Sequence, residues 1–139
     1  MADLSVLEAF LAEPRNAMVA AIRKDGRPQM TPNWFLWDGT HFLISTTKDR
    51  AKYRMFRRDP RVQLAIDDAT AFRSVLVDGT VEIAEDIDAA LPSFRAIRTK
   101  HGRPIGSDDE LRAELVRDQR VLLVVTPDLA PELWRAIGL

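Results

Sequence analysis

The chain has 139 residues, of which 46% are hydrophobic and 29% charged, a balance typical of one folded domain with its own core. Its net charge of −1 excludes nucleic-acid binding through bulk positive charge, and the lack of cysteine excludes disulfides and thiol catalysis. No apolar run approaches the roughly 20 residues that span a bilayer, so we expect no membrane segment.

Charged residues indicate the expected cellular location, and the histidines indicate whether a metal site is expected. Asp3 and Glu8 stand where an export signal would carry basic residues, so we expect a cytoplasmic protein. The two histidines, His41 and His101, are far apart in the chain, and neither has a second ligand at metal-binding spacing. We therefore expect a single domain over residues 1–139 that binds no metal.

The first part of the chain predicts one helix and three strands. Apolar residues at helical spacing over residues 4–11, with Asp3 as N-cap, predict a helix. Asp-Gly pairs at residues 25–26 and 38–39 predict hairpin turns between apolar runs. The strands cover residues 17–23, 29–37 and 41–46. We expect these three strands to form a meander.

The second part adds helices among further strands. Residues 51–58 fit a short amphipathic helix that ends before Pro60, and a strand follows over residues 62–66. Residues 73–84 fit either a hairpin about Gly79 or one bent strand, and the apolar face that stays in phase across the glycine favours one strand. The remaining predicted elements are a helix over 86–100 in which Pro92 would mark a start, a helix from 107, a strand over 121–125 and a helical turn over 131–137.

The order of these elements predicts the fold class. Six short strands that are mostly connected by hairpins, with helices inserted late, predict an antiparallel barrel with flanking helices. A parallel sheet would need helices between the first three strands, where none is predicted. A barrel of this size is filled by its own side chains, so we expect a ligand to bind on the outside or at a subunit interface.

The most basic stretch of the chain follows the third predicted strand. Residues 48–61 carry seven basic and two acidic side chains, whereas residues 62–94 carry one basic and seven acidic. A hydroxyl-rich strand end that leads into a basic helix start favours an anion, because backbone N–H groups and the helix dipole attract it. A merely solvated helix face is the alternative. Arg50 and Lys52 are two positions apart, so they meet at one anion only if Arg50 precedes the regular helix.

Four short motifs, in this order, resemble a known family. They are Asp25-Gly26-Arg27-Pro28-Gln29, Leu43-Ile44-Ser45-Thr46-Thr47, Arg50-Ala51-Lys52 and Arg58-Asp59-Pro60-Arg61-Val62. Over residues 8–126 the chain resembles the flavin/deazaflavin-dependent oxidoreductase superfamily, the split β-barrel proteins related to pyridoxamine 5′-phosphate oxidase. It looks most like the PPOX-class branch that depends on coenzyme F-420. The third motif followed by the fourth is the more specific signal.

The resemblance implies a mainly β fold, a six-stranded antiparallel split β-barrel (the FMN-binding split barrel) with flanking helices. It also implies a homodimer with cofactor sites at its interface. Arg50 and Lys52 would contact the cofactor phosphate, and residues 29–33 and 44–47 would line its ring and ribityl chain. The residues expected to bind the cofactor are Gln29, Thr31, Pro32, Asn33, Ile44, Ser45, Thr46, Thr47, Arg50 and Lys52.

The expected function is hydride transfer between coenzyme F-420 and a small organic substrate. No nucleophile set or carboxylate pair stands out, which fits an oxidoreductase whose cofactor carries the chemistry, so we predict no catalytic side chain. F-420 is preferred over FMN because its tail, a lactyl phosphodiester with glutamates, needs a long basic track. That track would be Lys48, Arg50, Lys52, Arg54 and Arg57. The alternatives are an FMN-dependent oxidase or reductase of the same family, and a carrier of flavin, deazaflavin or haem without turnover.

Overall fold

The computed structural model describes residues 3–139 as one antiparallel sheet curled into a half-barrel, with four α-helices around it. The strands are β1 Asn16–Ile22, β2 Pro28–Trp34, β3 Leu36–Trp37, β4 Phe42–Thr47, β5 Arg61–Asp67, β6 Ser74–Ala84, β7 Arg120–Pro127 and β8 Arg135–Ile137. The helices are α1 Leu4–Ala12, α2 Ala51–Arg58, α3 Ile87–Lys100 and α4 Asp108–Arg117. The predicted split-barrel fold with flanking helices is confirmed, with eight strands instead of six.

The predicted three-stranded meander is wrong. The sheet runs in the order β2-β1-β5-β6-β7-β4-β3, with β8 pairing the free end of β6. The segment that was predicted as one strand over residues 29–37 is broken at the buried Phe35. Its first part pairs with β1 and its second part with β4, so β2 and β3 lie on opposite edges of the sheet. Because the sheet curls, those edges approach each other without pairing, which leaves a split between β2 and β4.

The long strand β6 connects the two parts of the sheet, and its prediction as one bent strand is confirmed. It pairs with β5 from Ser74 to Thr80 and with β7 from Gly79 to Ala84. Gly79 is where the two pairings overlap, and a Cβ atom there would lie 2.7 Å from the Thr126 carbonyl oxygen. The glycine therefore permits a close approach of two backbones at the bend.

The helix starts follow local capping rules. Asp3 accepts hydrogen bonds from the first turn of α1, as the sequence predicts, and Ser107 does the same for α4. Helix α3 begins at Ile87, where Asp86 caps the first turn, so Pro92 lies inside this helix and does not start it. The C-terminal segment is a short 3₁₀ turn followed by β8 instead of one longer helical turn.

Two apolar clusters hold the elements together. The larger one fills the barrel and includes Phe10 of α1, Phe35 and Ile44. The smaller one lies under α3 and α4, which pack against the outer face of β4 and β7 through residues such as Phe94 and Leu122. Strands β4 and β7 are thus covered on both faces, and the end of α3 is held near the split. No helix within residues 3–139 is long and apolar enough to cross a membrane.

The bend at Gly79 gives a stability prediction. Replacing Gly79 with alanine places a Cβ 2.7 Å from the Thr126 oxygen and 3.0 Å from a Val125 methyl carbon, so β6 and β7 must separate. We expect a loss of about 1–3 kcal/mol in the free energy of unfolding, measured by urea denaturation. Thr80→Ala, at the exposed neighbouring position, is the control and should change stability far less. Equal stability of the two variants would contradict a close backbone contact.

Candidate anion-binding site

The junction between β4 and α2 places Arg50 and Lys52 on different kinds of backbone. Arg50 is the N-cap of α2 and has an extended conformation, whereas Lys52 lies in the first helical turn. This is the arrangement in which the two side chains can approach one anion. The first turn of α2 carries no acidic residue, so the positive end of the helix dipole and both cations add up at this end.

Lys52 is the most informative residue of the junction, because only 5% of its surface is exposed. Its ammonium donates a hydrogen bond to Thr31 Oγ1 at 2.7 Å, and the Thr31 hydroxyl in turn donates to Asn33 Oδ1 at 3.4 Å. Within residues 3–139, no carboxylate pairs with this ammonium. Burial, and secondarily the charge of Arg50, lower the pKa of Lys52. A bound anion would supply the missing opposite charge.

Basic residues on either side of Arg50 and Lys52 are occupied by protein contacts. Lys48 lies 3.3 Å from the Glu85 carboxylate, which also accepts a hydrogen bond of 2.7 Å from the Tyr53 hydroxyl. Arg57 donates to the Tyr53 oxygen at 3.3 Å, and Arg58 donates to the Ile22 carbonyl at 3.2 Å. These bonds attach α2 to the barrel, so Lys48 and Arg57 are already engaged where the predicted basic track would need them.

The other predicted residues divide into three groups. Pro32, Asn33 and Ser45 line one pocket of about 240 Å³ at the split, next to the Lys52–Thr31 contact. Thr46 and Thr47 are buried at the end of β4, where the Thr47 hydroxyl donates to Asp49. The structure does not bring the remaining two to the pocket. They are Gln29, which lies further along β2, and Ile44, whose side chain is fully buried in the barrel core.

The pocket at the split also contains arginines that sequence reasoning missed. Arg98 near the end of α3, Arg103 in the following loop and Arg120 at the start of β7 line it together with the apolar residues Phe94 and Ile97. Their charges come from three segments of the chain that no local motif connects. The one available signal is Arg120 at the start of an apolar strand. It does not indicate a site until β7 is known to pair with β4.

Trp34, which lines this pocket, is stacked on His101. The rings of Trp34 and His101 lie 4.7 Å apart and within 5° of parallel. His101 Nε2 lies 3.2 Å from the Phe35 carbonyl oxygen, which fixes the ring at the end of α3. Burial lowers the pKa of His101, so the neutral ring donates to the carbonyl through Nε2. Within residues 3–139 there is no group of three metal-ligating side chains.

The unpaired charge of Lys52 gives a prediction for the protein without ligand. Because folding lowers its pKa, the charged form is less stable in the folded chain than in the unfolded chain, and this cost is present at every pH below the folded pKa. We expect Lys52→Met to raise the melting temperature at pH 7, and this gain to shrink as the pH rises through the lysine pKa. Lys24→Met, at an exposed position, is the control. A lower melting temperature for Lys52→Met would show a structural lysine instead.

The sequence and the fold are similar to those of known proteins. The family profile of pyridoxamine 5′-phosphate oxidase matches residues 5–132. A solved F420 reductase is 29% identical with a TM-score of 0.71, over 88% of this chain and 93% of that one. A conserved hypothetical protein of Mycobacterium tuberculosis (22% identity, TM-score 0.82, 99% and 85% covered) and a haem storage protein of Vibrio cholerae (16%, 0.76, 99% and 96%) share the fold. The chain belongs to the pyridoxamine 5′-phosphate oxidase family of split-barrel proteins, a family that binds flavins.

Proposed function

We propose that this protein is an oxidoreductase that binds coenzyme F-420 at the split between β2 and β4 and transfers hydride to or from a small organic substrate. The observation that carries the proposal is the buried Lys52 ammonium, which is held by Thr31 and lies near Arg50 with no carboxylate partner among the described residues. The family is one of flavin-binding oxidoreductases, which supports redox chemistry at this site.

The residues at the junction fit the phosphate of such a cofactor. Lys52 and Arg50 supply two positive charges at the N-terminal end of α2, whose free backbone N–H groups also favour an anion. Charge-assisted hydrogen bonds to phosphate are the stronger kind, and they gain further where water is excluded, as it is around Lys52. We assign Arg50 and Lys52 the phosphate, and Thr46 and Thr47 the adjoining chain.

The deazaflavin, when bound, supplies the hydride chemistry. The protein's part is to bind and orient: Asn33, which accepts a hydrogen bond from the Thr31 hydroxyl, and Ser45 offer it polar groups at the split. Holding the reactants in a fixed geometry supplies much of the rate advantage in such enzymes. Neither Asn33 nor Ser45 is an acid or base near neutral pH, so both act by positioning.

The choice of F-420 over FMN draws support from the solved F420 reductase that is 29% identical. The predicted basic track is weaker support than its sequence suggests, because Lys48 and Arg57 already bind Glu85 and Tyr53. FMN remains the alternative cofactor. The carrier hypothesis draws only on the shared fold of the haem storage protein.

We also propose that the protein is a homodimer that uses the outer face of β1 and β2. Met30 is 62% exposed and Trp34 40%, and Met18 and Pro32 lie between them on the same face. An apolar face on an edge strand is typical of an interaction surface. Pro32 and Trp34 also line the pocket, so a partner docked on this face would border the cofactor site.

Cofactor binding tests the main proposal. We expect the double variant Arg50→Ala/Lys52→Ala to bind F-420 at least about 100-fold more weakly than the wild type, since each lost charge-assisted bond costs roughly 1.5–3 kcal/mol. Binding is measured by titration of F-420 fluorescence, with FMN titrated in parallel. Lys24→Ala/Arg27→Ala, which removes the same two residue types in the exposed β1–β2 turn, is the matched control.

The outcomes separate the alternatives. Tight binding of FMN but not F-420 would assign the flavin, and binding of neither would overturn the proposed function. If F-420 binds but its reduced form is never oxidised by quinone or enone acceptors, the protein is a carrier.

The dimer is tested by a single charge on the apolar face. We expect Met30→Glu to convert a dimer into a monomer, because burying an unpaired carboxylate at an interface is costly. The mass in solution is measured by light scattering after gel filtration. Phe72→Glu is the control, because Phe72 is 80% exposed and lies in the β5–β6 loop, outside β1 and β2. A wild-type monomer, or a dimeric Met30→Glu variant, would contradict the assignment of this face.

A further inference from the structure

We propose that the pocket formed by Arg98, Arg103 and Arg120 binds a carboxylate group, separately from the phosphate at Arg50 and Lys52. The inference rests on the proposed function only for the identity of the molecule that carries the carboxylate. It rests on geometry for the site itself. We call this site the arginine pocket.

Arg120 is the central residue of the arginine pocket. It starts β7 opposite Thr47 of β4, and its Nη1 donates to Ser45 Oγ over a long 3.4 Å. Its Nε is buried and has no hydrogen-bond partner within residues 3–139. A buried guanidinium nitrogen without an acceptor is costly, and a carboxylate is the acceptor that matches the planar fork. Burial, and then the charge of Arg98, lower the pKa of Arg120.

The acidic groups near the arginine pocket are already engaged. Glu114 bonds to both Arg98 and Arg103, each at 2.8 Å. Asp118 bonds to Arg117 at 3.1 Å. Asp49, the other carboxylate that Arg120 influences, accepts the Thr47 hydroxyl. Among residues 3–139, Arg120 therefore has no carboxylate of its own, and Arg98 and Arg103 share Glu114.

The shape of the pocket indicates the kind of acid. Its volume of about 240 Å³ is bounded by the apolar surfaces of Phe94 and Ile97 and by the Trp34 ring, which is fixed on His101. Phe94 and Ile97 are almost fully buried, so the exposed apolar surface here is the Trp34 ring, and a small inorganic anion would leave that ring uncovered. A carboxylate attached to a short or flat organic group would cover it while its oxygens reach Arg120.

Two molecules could present such a carboxylate. Asn33 lines the arginine pocket and is linked through Thr31 to Lys52, so the pocket adjoins the proposed phosphate site. The glutamates of the F-420 tail would reach it from the phosphate, and the carboxylate of an organic acid substrate would reach it from solvent. Both sources share one chemistry, and they differ in whether cofactor affinity depends on Arg120.

The test compares Arg120→Gln with the wild type in titrations of F-420, FMN and benzoate, with benzamide as the uncharged equivalent of benzoate. Calorimetry and the fluorescence of the pocket tryptophan report binding without turnover. A loss of at least about tenfold for F-420 but not FMN assigns the cofactor tail. A similar loss for benzoate alone, with benzamide binding weak to both proteins, assigns an acidic substrate.

Three further measurements keep the test decisive. Arg120→Lys retains a charge without the planar fork and should recover only part of the binding. Arg112→Gln removes an arginine that pairs with Asp88 on the exposed side of α4, and should bind as the wild type does. Melting temperatures establish that each variant is folded.

The result that overturns the proposal is unchanged binding of all three probes in Arg120→Gln, or no binding of benzoate together with equal effects on F-420 and FMN. If neither cofactor binds the wild type but benzoate binding needs Arg120, the proposed function fails and the arginine pocket stands.

Discussion

The structure depends on how Phe35 is held between the two edges of the sheet. Its ring is fully buried against Phe42, with ring centres 5.9 Å apart, and the Lys100 ammonium lies 3.7 Å from its centre. The same ammonium donates to the carbonyls of Leu11 and Phe35, at 2.7 and 2.9 Å. Burial lowers the pKa of Lys100 to about 8, because the charged ammonium is less stable here than in water. The hydrogen bonds of this ammonium join α1, α3 and the strand break at one point.

The split and the site follow from that break. Because Phe35 turns inward, β2 continues along β1 while β3 continues along β4, and the two edges face each other. Side chains from both edges then meet: Thr31 and Asn33 come from β2 and Ser45 from β4. The end of α3, held at the same point by Lys100, adds Arg98 to the group. Phe35 and Lys100 touch no proposed ligand, yet they position residues that do.

The electrostatics of the site come from uneven compensation. On either side of Arg50 and Lys52, basic residues make protein contacts, such as Lys48 with Glu85 and Arg58 with the Ile22 carbonyl, and these contacts attach α2. Arg50 and Lys52 themselves have no carboxylate partner among the described residues, although Lys52 is buried. Natural proteins carry unfavourable charges of this kind mostly where a ligand relieves them. The charge available to a ligand is therefore that of Arg50 and Lys52. The net charge of residues 48–61 is larger than this available charge.

The sequence alone determined the local elements, because their signals are local. Asp3 and Ser107 cap their helices, the Asp-Gly turns lie where predicted, and Gly79 bends one strand. The resemblance carried by the four motifs also led to the split-barrel family. Only the tertiary structure decided that β4 pairs with β7, that the strand breaks at Phe35, and that Arg98, Arg103 and Arg120 share a pocket. Those facts depend on contacts between segments that are far apart in the sequence. Such contacts leave no periodic pattern within either segment, so neither segment's sequence reveals them.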